Sequence, residues 1–225
     1  MLVKKFKSKL IALSNPFKDI YTLEIKSLST RYKYYPGQFL HITLDPDYDG
    51  SGQWPESRCF SMQSSPDDES IKITYTVKGR FTKQMEEQLH VGSEVWLKLP
   101  YGDLFTKDHN KVNTVFIAGG TGITPFLSLF KHSSFTEYSK PRIYLGFRSK
   151  AYNIYLKELI SVKLCDTKYY YEDVDGLLDI DKIFSENGIN NDYFISGPPV
   201  MIKFFKEKLI TRGVPRIQIL TDDWE

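Results

Sequence analysis

Ala118-Gly119-Gly120-Thr121-Gly122-Ile123-Thr124-Pro125 is the stretch that decides the fold. The apolar run Val112–Ala118 precedes it, and Thr124–Lys131 continues with helical spacing. A short apolar strand feeding a helix through glycines is the opening unit of a parallel α/β sheet. Glycines at this place let the backbone approach a pyrophosphate and set it over a helix N-terminus. The spacing is not a full G-x-G-x-x-G, and a plain tight turn would satisfy it equally well.

Working outward, the alternation continues to the C-terminus. Arg142–Phe147 and Tyr169–Glu172 are expected as strands, and Ile154–Val162 and Leu178–Phe184 as amphipathic helices. Tyr193–Ile195 is a third strand, and it runs into Ser196-Gly197-Pro198-Pro199-Val200-Met201, with a helix over Val200–Leu209. In a parallel sheet the carboxyl ends of the strands face the ligand crevice, so both glycine turns belong on one edge.

Upstream of about Asp108 the texture differs. Strand-like runs at Val3–Leu13, Ile20–Leu28, Gln38–Leu44, Arg58–Ser64, Ile71–Val77 and Glu94–Leu99 are divided by turn residues such as Asn15-Pro16, Pro36-Gly37 and Pro100-Tyr101-Gly102. One helix is expected at Thr82–Leu89. This pattern predicts an antiparallel barrel or sandwich. The expected architecture is therefore two-domain: a β-barrel over residues 1–109 and a doubly wound α/β domain over residues 110–225.

Composition narrows the functional classes. With 30 basic and 28 acidic residues the net charge is +2, which argues against a dedicated nucleic-acid binder. Two cysteines, Cys59 and Cys165, form no C-x-x-C or Cys/His cluster, so neither zinc nor an iron–sulfur centre is expected. No run approaches a membrane span and no signal-peptide pattern opens the chain. A cytoplasmic protein is expected.

Two features of the first half carry chemistry. In Arg58-Cys59-Phe60-Ser61, Arg58 and Phe60 share one strand face and Cys59 and Ser61 the other. An Arg can fork onto a phosphate, an aromatic ring can cover a flat ring system, and a Ser can bond a heteroatom. An ordinary barrel strand fits the same residues. In Val77-Lys78-Gly79-Arg80-Phe81-Thr82, a glycine and a hydroxyl open a helix, which suits a pyrophosphate or plain capping by Thr82.

Taken in order, Pro36-Gly37-Gln38-Phe39, Arg58-Cys59-Phe60-Ser61, Gly79-Arg80-Phe81-Thr82, Gly119–Pro125 and Gly197-Pro198-Pro199-Val200-Met201 resemble the ferredoxin–NADP reductase superfamily of FAD-binding oxidoreductases. The resemblance spans nearly the whole chain. It implies FAD as cofactor and NADPH or NADH as substrate. Arg58 would contact the flavin pyrophosphate, Phe60 would cover the isoalloxazine in place of the usual Tyr, and Ser61 would bond near flavin N5. Cys59 and the strand end Tyr75-Thr76-Val77 would complete that wall, and Gly79, Arg80, Phe81 and Thr82 would hold the pyrophosphate. Gly120, Thr121, Gly122, Thr124 and Pro125 would take the nicotinamide nucleotide, with Arg148 and Ser149 beyond them. Gly197, Pro198, Pro199 and Met201 would line the same cleft. Asp222 and Trp224 match an acidic residue and an aromatic near the flavin. Ser61, Asp222 and Trp224 are thus the expected catalytic set.

Phe60 lacks the usual hydroxyl, which implies a more exchangeable flavin, and Ser196 stands where many relatives have a Cys. The resemblance implies an electron-carrier protein as partner (ferredoxin, flavodoxin or an oxygenase component) and a monomer. A flavin or ferric reductase using small acceptors is the alternative, and a flavin-binding module without turnover is a reading of another class. Arg148, Ser149 and Lys150 lean towards NADPH, while Glu172, Asp173 and Asp175 lean the other way.

Overall fold

The computed structural model describes residues 1–162, 164 and 166–222; Cys165 and Trp224 lie outside the described residues. The first half is a six-stranded antiparallel sheet. Its strands are β1 (Lys4–Phe17), β2 (Ile20–Ser27), β3 (Phe39–Thr43), β4 (Ser57–Ser61), β5 (Ile71–Thr76) and β6 (Glu94–Tyr101), in the order β4-β3-β6-β1-β2-β5. Helix α1 (Arg80–Gln88) lies between β5 and β6. Alternation in β1 works as the sequence requires: Phe6, Ser8 and Leu10 are buried, while Lys7 and Lys9 face solvent. Phe6, Leu23, Ile25, Leu40, Ile42, Ile73 and Leu97 meet in a core that Phe81 and Met85 of α1 close.

The first hairpin departs from expectation. Asn15-Pro16 is not its turn, because β1 continues through a bulge to Phe17 and reverses at Lys18-Asp19. Asn15 makes this possible by donating from Nδ2 to Ile20 O at 3.0 Å and to Lys18 O. Lys18 takes the left-handed conformation, with φ 43°. Helix α1 likewise starts before Thr82. Gly79 is its N-cap, and Thr82 reaches back from inside the first turn to accept from Lys78 N (2.9 Å) and Gly79 N (3.1 Å).

The second half is a five-stranded parallel sheet. Its strands are β7 (Thr114–Gly119), β8 (Arg142–Phe147), β9 (Thr167–Tyr171), β10 (Asp192–Ser196) and β11 (Ile219–Thr221), in the order β11-β10-β7-β8-β9. Neighbouring residues of β7 go to opposite faces. Phe116 and Ala118 pack under α2 (Thr124–Lys131) and α3 (Leu156–Ser161). Val115 and Ile117 pack under α5 (Ile180–Asn187) and α6 (Pro199–Thr211). A short α4 (Glu172–Asp175) follows β9. The sheet is covered on both faces, as a doubly wound fold requires. No helix among the described residues is long and apolar enough to cross a membrane.

Contacts between the two sheets are specific. Leu104 and Phe105, which follow β6, already pack with Phe116, Phe126 and Phe194 of the second core. Ser128 of α2 donates to Ser64 O at 2.7 Å. Glu158 of α3 accepts from Gln63 Nε2 at 3.1 and 3.2 Å and pairs with Lys72 and Lys131. Burial alone would push the Glu158 carboxyl up, but Lys131, Lys72 and Gln63 outweigh it and hold the group below its ordinary value. A depressed carboxylate contributes stability above its unfolded value and loses it as the pH falls through the folded one. Replacing Glu158 with Gln leaves two half-buried ammonium groups without a counter-charge. The expected cost is about 1–2 kcal/mol at neutral pH, after allowance for partial solvent screening. Less should be lost on acidification than in the unmutated chain. Thermal midpoints measured across the acid range check this, and equal midpoints at neutral pH would show that the contact contributes nothing.

Candidate flavin and nucleotide cleft

The sheet order sets the site. The chain runs β7, β8, β9 to one side and then returns to place β10 and β11 on the other, so it switches direction between β7 and β10. The crevice beyond the carboxyl ends of those two strands is where open α/β sheets bind ligands. Gly119-Gly120-Thr121-Gly122 leaves β7 there and Gly197 leaves β10, with Ala118 and Ser196 paired in register. The turns are in backbone contact. A Cβ on Gly122 would lie 2.5 Å from Gly197 Cα and N, and 2.6 Å from the Ser196 carbonyl carbon. Met201 covers the turns from α6, so a Cβ on Gly119 would lie 2.8 Å from its Sδ.

Opposite these turns stands β4. A cavity of about 450 Å³ opens between them, lined by Cys59, Phe60 and Ser61 on one wall and by Gly119–Gly122, Thr124 and Ser196–Pro199 on the other. Thr74, Tyr75 and Thr76 of β5 also line it, as do Arg148, Tyr152 and Tyr155. Asp222 bridges the walls: its Oδ2 accepts from Ser61 Oγ at 3.4 Å and from Ser196 Oγ at 3.1 Å. A barrel residue and a sheet residue thus share one carboxylate oxygen. Lys18, Lys78 and Arg148 against Asp19 and Asp222 leave an excess of positive charge in the lining, which suits a polyanion.

Several expected residues lie outside this cavity. Arg58 is half-exposed on β4; it donates to Ser57 O at 2.7 Å, pairs with Glu56 at 3.3 Å and lies over the Phe81 ring at 5.2 Å. Arg80 binds the same Glu56 through both carboxylate oxygens, at 2.8 and 2.7 Å. Thr82 donates its own proton to Gly79 O at 3.0 Å, so its hydroxyl serves the helix start. Phe81 and Pro125 are buried, and Val77 packs against the barrel core. Ser149 leads into the turn before Tyr152. Trp224 lies outside the described residues. Cys59 lines the cavity with its Sγ 3.4 Å from His41 Nε2; burial pushes its thiol up, and burial with Lys98 pushes the imidazole down.

The cavity also recruits residues that no motif announced. These are Lys18, Asp19, Thr74, Tyr152 and Tyr155. Tyr152 and Tyr155 follow β8 without glycine or charge spacing to mark them, and Lys18 is three strands away in the first hairpin.

The residues present fit a flavin. Tyr75 and Tyr155 line the cavity, and their hydroxyls are buried without a hydrogen-bond partner, that of Tyr155 lying near Thr74. Such orphans are costly unless a bound polar group satisfies them. The Tyr75 ring packs 5.9 Å from that of Phe60, so two aromatic rings meet at the wall that would cover the flavin. Gly120 has φ 56°, and a Cβ there would meet nothing within 4 Å, so this turn opens its backbone to the cavity.

Comparison with known proteins agrees with this geometry. A family model described as an FAD-binding domain matches residues 3–141. The reductase component of propane 2-monooxygenase from Mycolicibacterium smegmatis is 29% identical over 245 residues, covering 99% of this chain and 68% of that relative. Sulfhydrogenase 2 subunit gamma of Pyrococcus furiosus is 30% identical over 241 residues, covering 89% and 81%. Among solved structures, the ferredoxin reductase of carbazole 1,9a-dioxygenase superposes with a TM-score of 0.77 at 21% identity, over 100% of this chain and 70% of the other. A ferredoxin NADP+ reductase from Neisseria gonorrhoeae, with FAD and NADP bound, gives 0.76 at 16% identity over 97% of each chain.

Proposed function

Because this chain belongs to the family of FAD-binding domains, we propose that it is an NAD(P)H-dependent flavoprotein reductase that passes electrons to a carrier protein. One observation carries the reading. The two glycine turns of the nucleotide sheet face the barrel strand that bears Phe60 and Ser61, across a gap that Asp222 spans. Bound FAD supplies the acceptor for a nicotinamide hydride and the relay for the electrons. The chain itself orients the partners. Ser61, Tyr75 and Tyr155 offer hydroxyls to the flavin, and Phe60 offers a ring face. Gly120–Gly122 and the start of α2 hold the nucleotide pyrophosphate, and Gly197 and Pro198 line the nicotinamide. Asp222 fixes the Ser61 and Ser196 hydroxyls on either side of the gap.

Residues 1–109 form the FAD-binding domain and residues 110–225 the nucleotide-binding domain in this proposal, which the interval between β6 and β7 supports. Arg58 and Gly79–Thr82 serve the FAD pyrophosphate, Arg58 and Arg80 by releasing Glu56, and Trp224 covers the flavin. The protein works as a cytoplasmic monomer. The relatives named for oxygenase systems support a carrier of that kind as partner.

Anaerobic mixing of the FAD-loaded full chain with NADH or NADPH tests the reading. The visible flavin absorbance should bleach, and an oxidised ferredoxin should restore it. A chain that takes up no FAD, or keeps its colour under both nucleotides, overturns the proposal. Restoration by ferric chelate alone would make small acceptors the substrates.

A further inference from the structure

The first hairpin reaches across to the nucleotide sheet. Phe17 meets the Tyr152 ring edge-on at 4.7 Å, and the Lys18 ammonium lies 5.5 Å from the centre of that ring. The Arg148 guanidinium lies 5.7 Å from the same centre. Lys18, Arg148 and Tyr152 all line the cavity. Among the described residues neither Lys18 nor Arg148 has a carboxylate in ion-pair contact. The acids of α4 do not fill that role: Asp175 accepts from Tyr171 N at 2.9 Å, and Asp173 meets Arg148 only through backbone, N to O at 3.3 Å. Two cations from different halves of the chain thus lie within 6 Å of one ring centre and line one cavity, a pairing that suits an anion.

We propose that Lys18, a barrel residue, joins Arg148 in a cross-domain clamp for the 2′-phosphate of NADPH. This rests on the reductase reading above and deepens it by naming the substrate. The path of the nucleotide supports it. With nicotinamide at Gly197 and pyrophosphate at Gly120–Gly122, the adenosine end moves from β7 to the neighbouring β8. Arg148 follows the last residue of β8. That position reads the adenosine ribose in many dinucleotide folds; the new element is Lys18, brought there by the bulged hairpin. NADH presents only hydroxyls at this point, whereas a phosphate monoester engages both cations with charge-assisted hydrogen bonds.

Lys18→Gln keeps the side-chain stem and the hairpin and removes the charge. It is to be compared with the unmutated full chain, FAD-loaded, in steady-state kinetics with both nucleotides. Equilibrium binding of 2′-AMP and 5′-AMP provides a readout independent of turnover. The unmutated protein should prefer NADPH. The variant should lose about ten-fold in kcat/KM for NADPH, through KM, and stay within about two-fold for NADH. Binding of 2′-AMP should weaken about as much and that of 5′-AMP should not. A preference of the unmutated protein for NADH, an equal loss with both nucleotides, no loss with either, or a fall in FAD content would each overturn the clamp. Failure of both nucleotides to bleach the unmutated flavoprotein would instead overturn the reductase reading, and the 2′-AMP comparison would still report on Lys18 and Arg148.

Discussion

Gly122→Ala should lower the thermal midpoint by several degrees and weaken nicotinamide nucleotide binding at least about ten-fold. The added methyl would meet backbone, not a movable side chain: Gly197 Cα and N at 2.5 Å and the Ser196 carbonyl carbon at 2.6 Å. The turns after β7 and β10 would have to separate, at an expected cost of about 2 kcal/mol or more. Separation also moves Ser196 away from Asp222 and opens the crevice where two strand ends converge. Gly120→Ala is the matched control for stability. There the methyl meets nothing, and the penalty is confined to a left-handed backbone, about 1 kcal/mol. Circular dichroism melts of the two variants compare the stability costs, and nucleotide titrations of Gly122→Ala against the unmutated chain report the binding loss. Equal behaviour would show that the close approach of the turns is not what the glycine is for.

Asp222→Ala should slow flavin reduction by NAD(P)H by roughly 30- to 100-fold, with smaller changes in nucleotide binding. In the structure one carboxylate oxygen orders a hydroxyl from each wall of the cleft, Ser61 at 3.4 Å and Ser196 at 3.1 Å. Without it both hydroxyls lose their common acceptor, and neither wall holds the other in position. Hydride transfer depends steeply on the distance and angle between its partners, so loss of alignment appears in the rate more than in affinity. Anaerobic stopped-flow measurement of flavin bleaching is the check. An unchanged limiting rate would remove Asp222 from the catalytic set.

Periodicity made the broad architecture legible. Alternation at Phe6, Ser8 and Leu10, and the apolar run ending at Ala118, each specify one kind of strand, because side chains repeat every second residue and burial on one or two faces selects their polarity. Capping and turn chemistry were less legible. Thr82 caps its helix from inside the first turn, and Asn15-Pro16 sits within a strand, since a single side chain can bond backbone on either side of itself. Of the site, the motif residues Phe60, Ser61, Gly120, Gly122 and Gly197 line one cavity. Arg58 and Arg80, from equally distinctive motifs, share Glu56 instead.

The amino-acid sequence by itself determined the two textures, the glycine turns at strand ends and the residues expected on each wall, because all of these are local properties of a few consecutive residues. Tertiary structure alone decided that Ser61 and Ser196 meet at Asp222, that Gly122 abuts Gly197, and that Lys18 and Arg148 both reach the Tyr152 ring. Those partners are brought together by strand order and hairpin register, which follow from how the whole chain buries its apolar surface and not from any spacing along it.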